Sequence, residues 1–219
     1  MGTRQVFEEE LAAVHQEILR MGVMVEEALR RAVESLVRKD GKLAQAVVVG
    51  DAAINRREQE IEDRCIVLIA REQPVATDLR KLVTSLKLVT QLERMGDHAL
   101  HVAKGTLRLL PEAYMKPLID IPRMAEIGIG MIRDALTAFL DNDAERAREV
   151  AQRDQQIDEL HNQVMREVFT YMMENTSFIS QSISLLFISR FLERIGDHVT
   201  NICEWVVYSA TGERVELNQ

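Results

Sequence analysis

Proline and glycine are scarce in this chain, at 4 and 10 of 219 residues. Inside a helix they cost about 3 and 1 kcal/mol relative to alanine, so their rarity permits long uninterrupted helices. Aromatic residues make up only 5%, which argues against the aromatic-rich cross-strand pairing of a β-sandwich. The two cysteines, Cys65 and Cys203, are far apart, lie in apolar helical stretches and form no CxxC. They read as buried free thiols, not as a disulfide framework. No long apolar run is present. The most apolar segment, Phe178 to Leu192, is interrupted by Ser180, Gln181, Ser182, Ser184, Ser189 and Arg190. It falls short of the roughly 20 apolar residues that span a bilayer, so no membrane insertion is expected. Acids at Glu8, Glu9 and Glu10 precede any apolar run, so no secretory leader is read and a cytoplasmic location is expected. Also missing are the GxxxxGK[ST] phosphate loop, HExxH and the paired ExxH of di-iron bundles. No Ser/His/Asp spacing suggests a nucleophile, so an enzyme is not the expectation.

What the chain does contain is an acidic excess and strong helix formers. Its formal net charge is −8, which repels a phosphodiester backbone and disfavours nucleic acid as a partner. Such a surface suits a cation or a basic face on another protein. Helix signals divide the chain into six pieces: Val6 to Val37, Lys42 to Glu72, Val75 to Leu110, Met124 to Leu140, Ala144 to Met173 and Phe178 to Ala210. Their stops are the Lys39-Asp40-Gly41 turn, Pro74, Pro111, Asp141-Asn142-Asp143, Asn175 and Gly212. Pro111, Pro117 and Pro122 form the single proline-rich linker. Apolar residues at alternating three- and four-residue steps predict one buried face on each of two pieces. These are Leu88, Leu92, Met95, Ala99 and Val102, then Leu185, Ile188, Leu192, Ile195, Val199, Ile202 and Val206.

The chain repeats itself. Leu92-Glu93-Arg94-Met95-Gly96-Asp97-His98 recurs as Leu192-Glu193-Arg194-Ile195-Gly196-Asp197-His198, with one difference and an offset of 100. The apolar stripes coincide at the same offset. The predicted fold is therefore all-α, two pseudo-symmetric three-helix bundles built from six long helices, at residues 1–112 and 113–219.

Glu93 and Asp97 are four apart, so their carboxylates share one helix face and repel by a few tenths of a kcal/mol or more if buried. They continue a row that is apolar upstream: Leu79, Leu82 and Leu86 before Glu93 and Asp97, and Ile179, Ile183 and Leu186 before Glu193 and Asp197. Acids at the edge of a packing seam need Arg, Lys or a cation. The second helix of each half offers facing oxygens at Asp154 and Asp158, and at Asp51 and Asn55. Antiparallel packing would then give an oxygen-rich pocket for a divalent or trivalent metal. His101 and Asn201, four residues past Asp97 and Asp197, are possible further ligands.

Other residues read more plainly. Glu58 and Glu62 read as solvated surface. Gly96 and Gly196 read as points of close helix approach, with clearance for an ion as the alternative. Arg94 and Arg194 read as salt-bridging residues directed away from the acid row. His98 and His198 read as polar surface, and His15 carries no signal. Trp205 reads as packing near the last helix's core seam.

The blocks Gln73-Pro74-Val75-Ala76-Thr77-Asp78-Leu79-Arg80 and Leu92 to His98, together with Leu192 to Ile202, resemble the PhoU family. So does the ending Glu204-Trp205-Val206-Val207-Tyr208 with Gly212. The likeness runs from about Phe7 to Gly212. It implies two three-helix bundles and metal clusters on Glu/Asp-x-x-x-Asp motifs, here Glu93 with Asp97, Glu193 with Asp197 and Asp154 with Asp158. Iron or zinc is the implied metal, with magnesium or calcium as alternatives. Asn55 departs from the pattern, an amide where a carboxylate is expected. The implied role is negative control of the phosphate-starvation response. It would be exercised as a homodimer between the ATPase of the Pst phosphate transporter and the PhoR sensor histidine kinase. A metal-dependent enzyme or metal store using the same carboxylates is the alternative, and a structural adaptor with empty sites is a third reading.

Overall fold

The computed structural model describes residues 3–217. Its helices are α1 (Thr3–Arg38), α2 (Gly41–Glu72), α3 (Ala76–Leu109), α4 (Asp120–Asp141), α5 (Ala144–Ala151), α6 (Asp154–Glu174) and α7 (Ile179–Thr211). A short 3-10 turn, Thr176–Phe178, precedes α7. The punctuation is local chemistry. Asp40 caps α2 by accepting from the Lys42 and Leu43 amides, and Asp143 caps α5 through the Arg146 amide. Gln73, Asn142 and Gly212 close α2, α4 and α7 in the left-handed region.

These elements form the two pseudo-symmetric three-helix bundles: α1 to α3, and α4 with the α5–α6 rod and α7. Within each, the last helix is central. α3 packs on α1 and α2, α7 packs on α4, α5 and α6, and α3 and α7 pack on each other. Every residue of the two predicted stripes is buried, from Leu88 to Val102 and from Leu185 to Val206. Each large apolar side chain so buried contributes about 1.5–3 kcal/mol. Gly105 sits where α3 and α7 approach, and a Cβ there would come within 2.9 Å of Ile188.

Two features differ from the sequence expectation. The predicted fifth helix is interrupted at Gln152 and Arg153, splitting it into α5 and α6. Neither residue breaks helices. The tie is tertiary, since Arg153 and Arg146 both donate to Asp134 on α4, at 2.6 and 3.2 Å. The restart puts Asp154 at the first position of α6, where free backbone amides favour a carboxylate. Secondly, the apolar row upstream of the acids is not closed over. Leu79, Ile179 and Ile183 are exposed and only Leu82 is fully buried.

Candidate functional site

In the first half α2 and α3 lay their acids against each other. Asp51 feels the charge of Asp97, and burial with that repulsion raises its pKa, against the pull of Lys104 and His101. Glu93 is raised by burial first, then by Asp97, with Arg94 opposing. Oδ1 of Asp51 and Oδ1 of Asn55 are buried with no hydrogen-bond partner. Glu58 is not the free surface acid its spacing suggested. Burial, then Glu93 and Glu62, push it up to about 7.

In the second half the acids lie deeper. Asp154 is 6% exposed. Burial, then Asp158 and Asp197, raise it to about 7, while Thr200 donates weakly to its Oδ2 at 3.4 Å and pulls it back. Its Oδ1 has no hydrogen-bond partner. Asp158 is raised by burial and by Asp197, against His161 and Arg190. Glu193 is raised by burial, then by Asp197. It is paired with Arg190 through one oxygen, and its Oε2 is buried without a partner.

The repeated glycine explains how this packing is reached. A Cβ at Gly196 would stand 2.0 Å from Asp154 Oδ1, whereas at Gly96 it would meet Ile54 at 3.2 Å. Both glycines permit close approach, as expected, and at Gly196 the approaching group is a carboxylate.

The structure thus brings together Asp51, Asn55, Glu93 and Asp97 in one cluster, and Asp154, Asp158, Glu193 and Asp197 in the other. Glu58 and Glu62 join the first. Of the two further candidates, His101 stays near enough to Asp51 to oppose the repulsion on it, and both engage other groups. Asn201 donates to Gln91 on α3 at 3.4 Å. His101 has its Nδ1 2.6 Å from the Asp97 carbonyl and its ring stacked on Phe191. Arg94 and Arg194 do salt-bridge, but into the acid row, to Glu93 at 3.8 Å and Asp197 at 3.0 Å.

The histidines of the repeat correct the surface reading. His98 and His198 stack across the α3–α7 seam with their Nε2 atoms 3.2 Å apart. Nδ1 of His198 lies 2.7 Å from Gln91 Oε1, an acceptor, so this nitrogen carries the proton. Its Nε2 then accepts from His98, and the pair is neutral. Burial holds both at about 4. His15 is half-buried against the Phe139 ring and neutral. Burial, then Lys81, lowers it to about 4, and its Nε2 has no partner. Cys65 and Cys203 are buried free thiols. Trp205 packs edge-on to Tyr208 against the core.

A donor set made of carboxylates and one amide, with four buried oxygens lacking partners, suits a hard cation. The groups are gathered but do not converge: among the described residues, no three His, Cys, Asp or Glu side chains are disposed to hold a metal ion as they stand. Closing on one would need side-chain rotation and release of the Arg190 and Arg194 pairs.

Comparison with known proteins places the whole chain. The PhoU domain profile matches residues 18–106 and again 121–206. A phosphate-specific transport system accessory protein PhoU homolog of Clostridium acetobutylicum is 40% identical over 217 residues, covering 99% of each chain. One from Caulobacter vibrioides is 41% identical over 214 residues, 97% of this chain and 93% of its own. The crystal structure of PhoU from Pseudomonas aeruginosa superposes with a TM-score of 0.90 at 38% identity, over 94% of this chain and all of that one. The phosphate transport system regulatory protein PhoU from Streptococcus pneumoniae gives 0.87 at 33% identity, over 96% and 99%.

Proposed function

The chain belongs to the PhoU family, and from that premise we propose that it is an accessory protein of a phosphate-specific transport system that restrains the phosphate-starvation response. In this reading it works in the cytoplasm as a homodimer, between the transporter ATPase and a sensor histidine kinase, by binding and not by catalysis. The observation that carries the reading is the likeness along nearly the whole length to relatives so named. The helices fit an accessory role, since none is long and apolar enough to cross a membrane. Deleting the gene should switch on phosphate-starvation genes in phosphate-rich medium. Unchanged expression there would sink the proposal.

We further propose that the two acidic faces take cations, iron or zinc first, with magnesium or calcium as weaker candidates. Asp154, Asp158, Glu193 and Asp197 would hold one, and Asp51, Glu93 and Asp97 with Asn55 the other. The support is the set of raised carboxylates and unpartnered buried oxygens described above. The bound charge would relieve the repulsion and release the arginines now paired with the acids. Elemental analysis of protein purified without chelator tests this, and metal-free protein that ignores added iron, zinc and manganese would refute it. The same carboxylates support a second reading, a metal-dependent enzyme or store, which turnover of a phosphoester by the loaded protein would favour.

A further inference from the structure

The most apolar segment of the chain also lacks charge. From Asn175 to Ser189 there is no Asp, Glu, Lys, Arg or His, in a chain that is 28% charged. At the offset of the repeat the other half reads differently: Val75 to Val89 carries Asp78, Arg80, Lys81 and Lys87. The tip where α6 turns into α7 is therefore unlike the tip where α2 turns into α3.

The uncharged tip is also open. Phe169 and Met173 on α6, and Ile179, Ile183 and Phe187 on α7, are all exposed, Met173 at 88%. Each set is spaced by four, so each makes one row along its helix. His161 Nδ1 lies 3.0 Å from Ser189 Oγ, and the Tyr171 and Phe178 rings are 6.4 Å apart, which sets the register of α6 against α7. In that register the two rows lie side by side at the hairpin end, with Met172 and Leu186 half-buried beside them. Phe187 continues the surface along α7, its ring 6.4 Å from that of Phe191. Together the five expose roughly 500 Å² of apolar surface, at about 200 Å² for a large side chain, near the upper end of what a monomer leaves open.

We propose that this tip is where two copies of the chain meet, one α6–α7 hairpin end packing on the other about a two-fold axis. This deepens the homodimer reading above and rests on it. Charge selects the occupant. Two copies that each carry −8 repel wherever their charges face each other. A two-fold contact sets a patch against itself, so it suits a patch without charge of its own. An uncharged apolar face flanked by serines meets that condition, and it offers nothing to steer an acidic or basic partner. Area points the same way. Five side chains from each copy would bury roughly 1,000 Å², and the surrounding Ser, Thr and Asn residues bring the contact to the about 1,200–2,000 Å² of stable interfaces. At the first tip Leu79 is exposed as well, but it stands among four charges.

Sedimentation equilibrium of the full chain tests this. The wild type should be a dimer. Ile183→Glu, which sets like charges against each other across the contact, should raise the dimer dissociation constant about a hundredfold. Met173→Glu, at a side chain almost wholly exposed within its own chain, should raise it about tenfold without disturbing the fold, checked by circular dichroism. Leu79→Glu, at the first tip, should leave it unchanged. If wild type is a dimer and both second-tip variants dimerise as it does, or Leu79→Glu dissociates it as much as they do, the tip is refuted and the homodimer reading survives. If wild type is a monomer at every concentration, both fall together, and flotation of that monomer with phospholipid vesicles would assign the tip to a lipid surface instead.

Discussion

At matching positions the two halves carry the same acidic pair, Glu93 with Asp97 and Glu193 with Asp197, yet they set different groups against it. Asp51, half-buried, is matched by the deeply buried Asp154, and the amide of Asn55 by the carboxylate of Asp158. Leu100 is matched by Thr200, which donates to Asp154, and Thr90 by Arg190, which pairs with Glu193. The first half instead spreads its charge outward to Glu58 and Glu62, with Lys104 opposing. The motif is the same on the two central helices, whereas the partner helices differ. The same two acids can thus belong to a shallow cluster in one half and a deep one in the other.

The sharpest way to break this comparison is at the repeated glycine. Gly196→Ala should destabilise the protein by about 2 kcal/mol, because its Cβ would fall on the Asp154 carboxylate oxygen, with the carboxyl carbon 3.1 Å and Ile157 3.2 Å away, so that a buried side chain must shift. Gly96→Ala meets only the tips of Ile54, and the gain in helix propensity of about 1 kcal/mol offsets most of that strain. Urea unfolding of the two variants should differ by well over 1 kcal/mol. Equal losses would mean that the deep and shallow halves are not distinguished at this contact.

The pH dependence of the metal-free protein separates the halves next. Asp154 has an ordinary value of 3.8 and stands at about 7 when folded. The folded state thus keeps a proton that the unfolded chain has lost. Its contribution is complete below about pH 4 and disappears as pH rises toward 7, at most about 4 kcal/mol at about 1.4 per unit. Asp154→Asn should therefore stabilise the metal-free protein at pH 8 by about 1–3 kcal/mol, and Asp51→Asn by less. The His98–His198 pair acts with the opposite sign. Both rings stand at about 4 against 6.5, so stability is lost as pH falls from about 6.5 toward 4. The two limbs overlap between about pH 4 and 6.5, where their opposite slopes partly cancel, and above about pH 6.5 only the carboxyl limb remains, so stability should fall from there toward pH 7. His98→Gln should flatten the acid limb alone, measured by thermal unfolding across pH.

How far these features could be read in advance depends on how local they are. Asp40, Asn142, Asp143 and Gly212 mark helix ends by chemistry within a turn, and all four were legible. So were the stripes from Leu88 and Leu185, because burial repeats with the helix period. The α5–α6 interruption was not, since its cause is Arg153 reaching Asp134 on another helix. Glu58 seemed to belong with Glu62 on open surface, and only the α2–α3 packing sets it against Glu93. His98 and His198 lie off the core stripe of their own helices and meet only when α3 and α7 cross. In the candidate site, the acid pairs and their partners on the second helix were visible in the spacing. The turn of Asn201 toward Gln91 was not, because it depends on how α3 and α7 pack.

The smallest expected effect sharpens the comparison by making the halves more alike. Asn55 occupies the place of Asp158, and its Oδ1 is buried without a partner, so a carboxylate fits there with no change of shape. Asn55→Asp adds a fourth acid to Asp51, Glu93 and Asp97. Without a cation, repulsion should lower stability at pH 7 by about 0.5 kcal/mol, a like-charge term at a partly buried helix face. The penalty should shrink as pH falls, because the new acid and its neighbours share protons more readily. With manganese in excess the sign should reverse: the variant binds manganese more tightly than wild type, and ligation stabilises the folded state by mass action. Melting curves with and without manganese measure both terms in one protein. A variant equally destabilised in both conditions would show that the first half lacks the convergence, and not merely the charge, to hold a cation.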